Sequence, residues 1–144
     1  MTPLPANQTA TQTPTLLIVD DQQRVRHALR DWLKIMFPHF NCLEVSTGEL
    51  AVVICGVQKP DLVLMDLHLS QMSGIEATRR IKKTTPQIKV VMITSYEDPA
   101  YQQDSLEAGA SAFVHKREMT TALVPIIKEL LSPAPPGTVN EKQP

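Results

Sequence analysis

Five short apolar runs punctuate the chain, and the segments between them carry apolar residues at helical spacing. TLLIV (15–19) is continuous and apolar, the pattern of a strand buried on both faces. Val25, Ala28, Leu29, Trp32, Leu33 and Met36 then recur at gaps of three and one, which predicts a helix with Arg24, Arg30 and Lys34 outside and a stop at Pro38. CLEV (42–45) is the second strand. Ser46 and Glu49 form a capping box that opens a helix with Leu50, Val53, Ile54 and Val57 inward. DLVLM (61–65) is the third strand, and a second capping box, Ser73 with Glu76, starts a helix with Ile75, Thr78 and Ile81 inward, ending before Pro86. IKVVMI (88–93) is the fourth strand. Asp98 as N-cap, Pro99 at the first helical position and Gly109 as stop bracket a fourth helix with a thin apolar face. AFV (112–114) and a helix lined by Leu123, Ile126, Ile127, Leu130 and Leu131, with Pro125 near its start, complete the series.

Strand and helix alternate five times, which argues for an α/β fold whose mostly parallel sheet has helices on both faces. At 144 residues and 42% hydrophobic content the chain has room for one ordinary core. Residues 1–13 read as a disordered leader, 14–132 as the domain, and 133–144 as a Pro-rich linker or tail.

Charge narrows the partners. Fourteen Lys plus Arg against fifteen Asp plus Glu give no general attraction to nucleic acid or to an anionic membrane. No signal peptide or long apolar span stands out, so a cytoplasmic location is expected. Cys42 and Cys55 fit neither a disulfide framework nor a zinc site and are expected to be reduced packing residues.

In an open parallel sheet the carboxyl ends of the strands share one edge, and ligands bind there. The first strand ends in Asp20 and Asp21, the third runs into Asp66, the fourth ends in Thr94 and Ser95, and Lys116 follows the fifth. Three clustered carboxylates repel by about 4 kcal/mol per close pair at an effective dielectric near 20, so a cation is required. Oxygen ligands on an open site suit Mg²⁺. With Lys116 as a point charge and Thr94 as a hydroxyl donor, the set suits transfer of a phosphoryl group to Asp66.

These residues, with Asp66 set in MDLHLSQMSG, resemble a response-regulator receiver domain of bacterial two-component signalling over about residues 14–132. The run TSYEDPAYQQDSLEAGASAFVHK is most similar to receivers attached to helix-turn-helix DNA-binding domains. The resemblance implies a flavodoxin-like, doubly wound five-stranded sheet in the order 2-1-3-4-5 with five helices. It implies that Asp66 takes a phosphoryl group from the phosphohistidine of a sensor histidine kinase or phosphotransfer protein. It also implies Mg²⁺ held by Asp21, Asp66, the carbonyl of His68 and, through water, Asp20. Its switch would be Thr94 turning to the phosphoryl group while Phe113 swings inward, altering the surface of the fourth helix, fifth strand and fifth helix. Enzymatic activity would be limited to self-phosphorylation and slow self-dephosphorylation, with dimerisation on phosphorylation admitted and DNA reached only through a domain outside this chain. Ser70 and Arg117 stand where many members have Pro.

Three rivals share some of these features. A Mg²⁺-dependent aspartyl phosphatase would want an acid where His68 stands, and a nucleotide-binding module would want a Gly-rich loop where the chain has DDQQR. A pseudo-receiver acting only in protein interaction would lack the acids or the lysine. Elsewhere, Arg79, Arg80, Lys82 and Lys83 read as a solvated helix face, Trp32 as a buried anchor, and His27, His39 and His115 as surface residues.

Overall fold

A computed structural model describes residues 13–132; the leader up to Gln12 and the tail 133–144 lie outside the described residues. The chain runs β1 (Thr15–Val19), α1 (Gln23–Met36), β2 (Asn41–Val45), α2 (Gly48–Gln58), β3 (Leu62–Asp66), α3 (Gly74–Thr84), β4 (Lys89–Thr94), α4 (Pro99–Glu107), β5 (Ala112–His115), a 3₁₀ turn (Lys116–Glu118) and α5 (Met119–Leu131). All pairings are parallel, in the order β2-β1-β3-β4-β5. This is the flavodoxin-like arrangement that the resemblance implied.

Alternation along the strands builds two cores. Leu17, Val19, Val63, Met65, Val90 and Met92 face α2, α3 and α4. Leu16, Ile18, Leu62, Leu64, Val91 and Ile93 face α1 and α5. Every residue of β3 is buried, because a central parallel strand is covered on both sides.

Several expected details differ. The inner face of α2 is Gly48, Ala51 and Cys55, whereas Leu50, Val53 and Val57 point outward and Ile54 is half-buried. Close packing explains the reversal: a Cβ on Gly48 would lie 3.3 Å from Ala77 Cβ and 3.1 Å from the Met72 carbonyl, so α2 approaches α3 through its smallest side chains. The N-cap of α2 is Thr47, not Ser46; its hydroxyl accepts from the Leu50 amide at 3.0 Å. Ser73 caps α3 by accepting from the Glu76 amide, but the Glu76 side chain turns to Arg79 and Arg80 instead of back to the cap.

On α1, Ala28 and Met36 are exposed, Arg30 is half-buried against Glu44, and Trp32 is half-buried rather than fully enclosed. Pro125 lies inside α5, not near its start, and is exposed. His39 is exposed, His27 is half-buried 3.3 Å from Glu44, and His115 is half-buried edge-on to Phe113. The basic cluster is spent locally: Arg79 and Arg80 pair with Glu76, and Lys82 Nζ donates to the carbonyls of Pro86 and Ile88 at 2.7 Å each. Cys42 and Cys55 are free, and burial pushes the Cys55 thiol up to about 12, which makes it inert.

Candidate functional site

Three strand ends deliver the charged groups. Asp20 leaves β1 with its Oδ1 accepting the Gln22 amide at 2.8 Å, so the carboxylate is held by the turn into α1. The Asp20 carbonyl accepts from Arg26 Nη1 at 2.9 Å, and Arg26 is itself held by Glu44 on β2 at 3.0 Å. Asp21 is exposed on the same turn. Asp66 is the last residue of β3 and only 8% exposed. Lys116, the residue directly after β5, reaches Asp20 Oδ2 at 3.4 Å and Asp66 Oδ1 at 3.7 Å. The Lys116–Arg117 peptide bond is trans, so this reach needs no Pro at 117.

Sequence reasoning did not single out Gly74, which sets the floor of this edge. A Cβ there would stand 2.2 Å from the Asp66 carbonyl oxygen and 2.9 Å from Leu67 Cα, while the Gly74 amide donates to the Leu67 carbonyl at 2.8 Å. The loop after Asp66 can fold back under its own strand only if residue 74 has no side chain. The available signal was a glycine at a first helical turn, where helix propensity argues against it.

Burial pushes the Asp66 carboxyl up to about 6. Lys116 pulls it down, Asp20 and Asp21 push it further up, and the His68 backbone amide again lowers it. The excess of negative charge is real: each of Asp20, Asp21 and Asp66 offers a carboxylate oxygen, and the three lie within 4.8 Å of one another. An oxygen-only donor set, two members buried and one open to water, fits a hard divalent cation that retains part of its water shell.

Thr94 and His68 are placed less directly. Thr94 ends β4 one residue beyond Ile93, the partner of Asp66, at the same edge of the sheet. Its hydroxyl accepts the Tyr96 amide at 3.0 Å. The small cleft of about 10 Å³ between Asp20, Asp66 and Lys116 is closed by Val25, Leu29, Ile93 and Met119, without Thr94. The His68 ring stacks on Tyr96 at 3.7 Å and meets Tyr101 edge-on at 5.1 Å, joining the loop after β3 to α4. Phe113 is half-buried against the core under α4.

The pattern of the response regulator receiver domain matches residues 16–128. The chain belongs to the response regulator receiver family. Over 104 residues the receiver is 38% identical to the response regulator protein VraR of Staphylococcus aureus, a match covering 72% of this chain and 50% of that protein. The chain therefore spans about half the length of the curated relatives it matches. In three dimensions it is similar to a two-component response regulator of the LuxR family from Aurantimonas sp. SI85-9A1, with a TM-score of 0.78, 30% identity, and coverage of 83% of this chain and 86% of that one. A DNA-binding response regulator of the LuxR family from Staphylococcus aureus matches with a TM-score of 0.75 and 26% identity, covering 81% of this chain and 98% of that one. Among the described residues no helix is long and apolar enough to cross a membrane.

Proposed function

We propose that the receiver is a phosphorylation-dependent switch that accepts a phosphoryl group on Asp66 from the phosphohistidine of a histidine kinase or phosphotransfer protein. The supporting observation is the meeting of Asp66, Asp20 and Lys116 at one sheet edge, with Asp21 on the same rim. In the step, an Asp66 carboxylate oxygen forms a bond to phosphorus, the phosphorus–nitrogen bond breaks, and the departing imidazole takes a proton from solvent. The Lys116 ammonium is positioned to neutralise charge on the incoming group, and the raised affinity of Asp66 for protons makes its carboxylate a stronger nucleophile once ionised. Mg²⁺, held by Asp20, Asp21, Asp66 and the carbonyl of His68, would supply the remaining positive charge.

Self-phosphorylation and slow self-dephosphorylation are the whole of its chemistry. The phosphoryl group biases Thr94 and Phe113, and through them the surface of α4, β5 and α5. That helix is suited to move: its buried contribution is Ser105, with Tyr101 half-buried. By analogy with the LuxR-family relatives, the output is transcription through a DNA-binding domain outside this chain.

The deciding experiment incubates the chain with a small phosphodonor and Mg²⁺ and follows intact mass. Wild type should gain one phosphoryl group and Asp66→Asn none. Uptake at another residue overturns the assignment, sustained turnover of an added phosphomonoester favours a phosphatase, and failure to bind beryllofluoride with Mg²⁺ favours a pseudo-receiver.

A further inference from the structure

The loop after β3 and helix α4 meet through three aromatic rings that the phosphoryl chemistry does not use. The His68 ring stacks on Tyr96 with centroids 3.7 Å apart and planes at 25°. Tyr101, in the first turn of α4, meets His68 edge-on at 5.1 Å and Tyr96 edge-on at 5.9 Å, so the rings form a closed cluster. His68 Nδ1 is buried and has no hydrogen-bond partner among the described residues, which leaves stacking to fix the ring. Two backbone ties run from this cluster to the site. The His68 amide faces the Asp66 carboxylate and favours its ionised form. The Tyr96 amide donates to Thr94 Oγ1 at 3.0 Å. Helix α4 is otherwise lightly anchored, its buried residue being Ser105.

We propose that Tyr96 and Tyr101 are positioning residues for the phosphoryl acceptor: by clamping the His68 ring they hold the backbone beside Asp66, and the same clamp passes a change at Asp66 to α4. The proposal rests on Asp66 being the acceptor, and it adds a route to α4 separate from Phe113, which belongs to β5. Such a clamp acts in both directions, because coupling between two sites is reciprocal. A displaced His68 backbone pulls on Tyr101 and with it α4. A partner that shifts α4 tightens or loosens the loop beside Asp66.

Tyr96 is 50% exposed and Tyr101 half-buried, so truncating Tyr96 removes the stack at least cost to the core. With a small phosphodonor and Mg²⁺, Tyr96→Ala should take up the phosphoryl group roughly two to ten times more slowly than wild type, the rate equivalent of one aromatic pair. Tyr101→Ala should slow it likewise. Tyr96→Phe and Tyr101→Phe should match wild type, because the clamp needs rings and not hydroxyls. Without donor or cation, ¹⁵N order parameters of the His68 and Leu69 amides should fall from about 0.85 toward about 0.6 in both Ala variants. On binding beryllofluoride with Mg²⁺, the amide shifts along α4 should be smaller in Tyr96→Ala than in wild type, while those at Phe113 persist. Ala variants with wild-type uptake and a rigid His68 overturn the proposal, as do Phe variants as slow as the Ala ones. A wild-type chain that takes up no phosphoryl group fails the assignment of Asp66 instead. The order parameters then decide the clamp by themselves, and an unchanged His68 overturns it.

Discussion

The Lys116 ammonium lies 3.7 Å from Asp66 Oδ1 and also 3.4 Å from Asp20 Oδ2, so one cation from the end of β5 bridges carboxylates that leave β3 and β1. Replacing it with an uncharged chain of like length, Lys116→Met, leaves two buried acids facing each other. Lys116 is itself partly exposed, which limits the loss to about 1–2 kcal/mol at neutral pH. Asp66, whose proton affinity Lys116 lowers, should then hold its proton to a pH above about 6. Carboxyl NMR titration of wild type and variant measures the shift. The stability loss should shrink as pH falls through about 6, where Asp66 takes up its proton and the charge that Lys116 offsets is removed.

Burial raises Asp66 to about 6 against an ordinary value of 3.8. The folded chain therefore binds this proton more tightly than the unfolded chain. Its stability falls as pH rises from about 4 to about 6 and stays at the lower level above that. Without divalent cation, Asp66→Asn should raise unfolding free energy at about pH 7 by roughly 1–3 kcal/mol and leave it nearly unchanged at about pH 3. Urea titrations at both pH values check it. A gain confined to the acid side would reverse the sign of the argument.

Strands were legible in the sequence because burial on both faces demands unbroken apolar runs, and TLLIV, LVLM and VVMI have them. Asp20, Asp66 and Lys116 were legible because topology sends every strand's carboxyl end to one edge. Orientation of α2 was not: AVVICGV is apolar all round, and the choice of inner face fell to the small residues that let α2 approach α3. Gly74 escaped notice because its constraint is a contact with the Asp66 backbone across a folded-back loop, which local pattern does not encode. The Thr94 hydroxyl, occupied by the Tyr96 amide, depends on a turn geometry equally invisible to spacing.

Asp21 is exposed, whereas Asp20 and Asp66 are buried, so of the three acids it is the one whose removal disturbs the fold least. Adding Mg²⁺ should raise wild-type unfolding free energy by about 1.4 kcal/mol at ten times its dissociation constant, rising to about 2.7 at a hundred times. Asp21→Ala should remove most of that increment. Its cation-free stability should stay within about 0.5 kcal/mol of wild type, as for other surface changes. Thermal melts with and without Mg²⁺ separate the two effects. An undiminished Mg²⁺ shift in Asp21→Ala would place the cation elsewhere.

Gly74→Ala sets two principles against each other, and the sign of its effect decides between them. Helix propensity alone favours Ala over Gly by about 1 kcal/mol, so an unconstrained site in α3 would be stabilised. Here the new methyl would lie 2.2 Å from the Asp66 carbonyl oxygen, 2.9 Å from Leu67 Cα and 3.0 Å from Met65 Cγ. The first two neighbours are backbone and cannot rotate aside, so either β3 or the start of α3 must shift. Overpacking of that kind costs roughly 1–3 kcal/mol before the propensity gain is subtracted, and unyielding backbone neighbours put this site at the upper end. Net destabilisation of about 1–2 kcal/mol is expected in equilibrium unfolding, accompanied by backbone amide shifts at Leu67 and His68 in NMR spectra. Because the displaced atoms belong to the peptide that carries Asp66, phosphoryl uptake should slow in the same variant. Gly74→Ala with raised stability and unchanged Leu67 and His68 resonances would mean that the loop after β3 has slack, and that the position of Asp66 is set by the sheet alone.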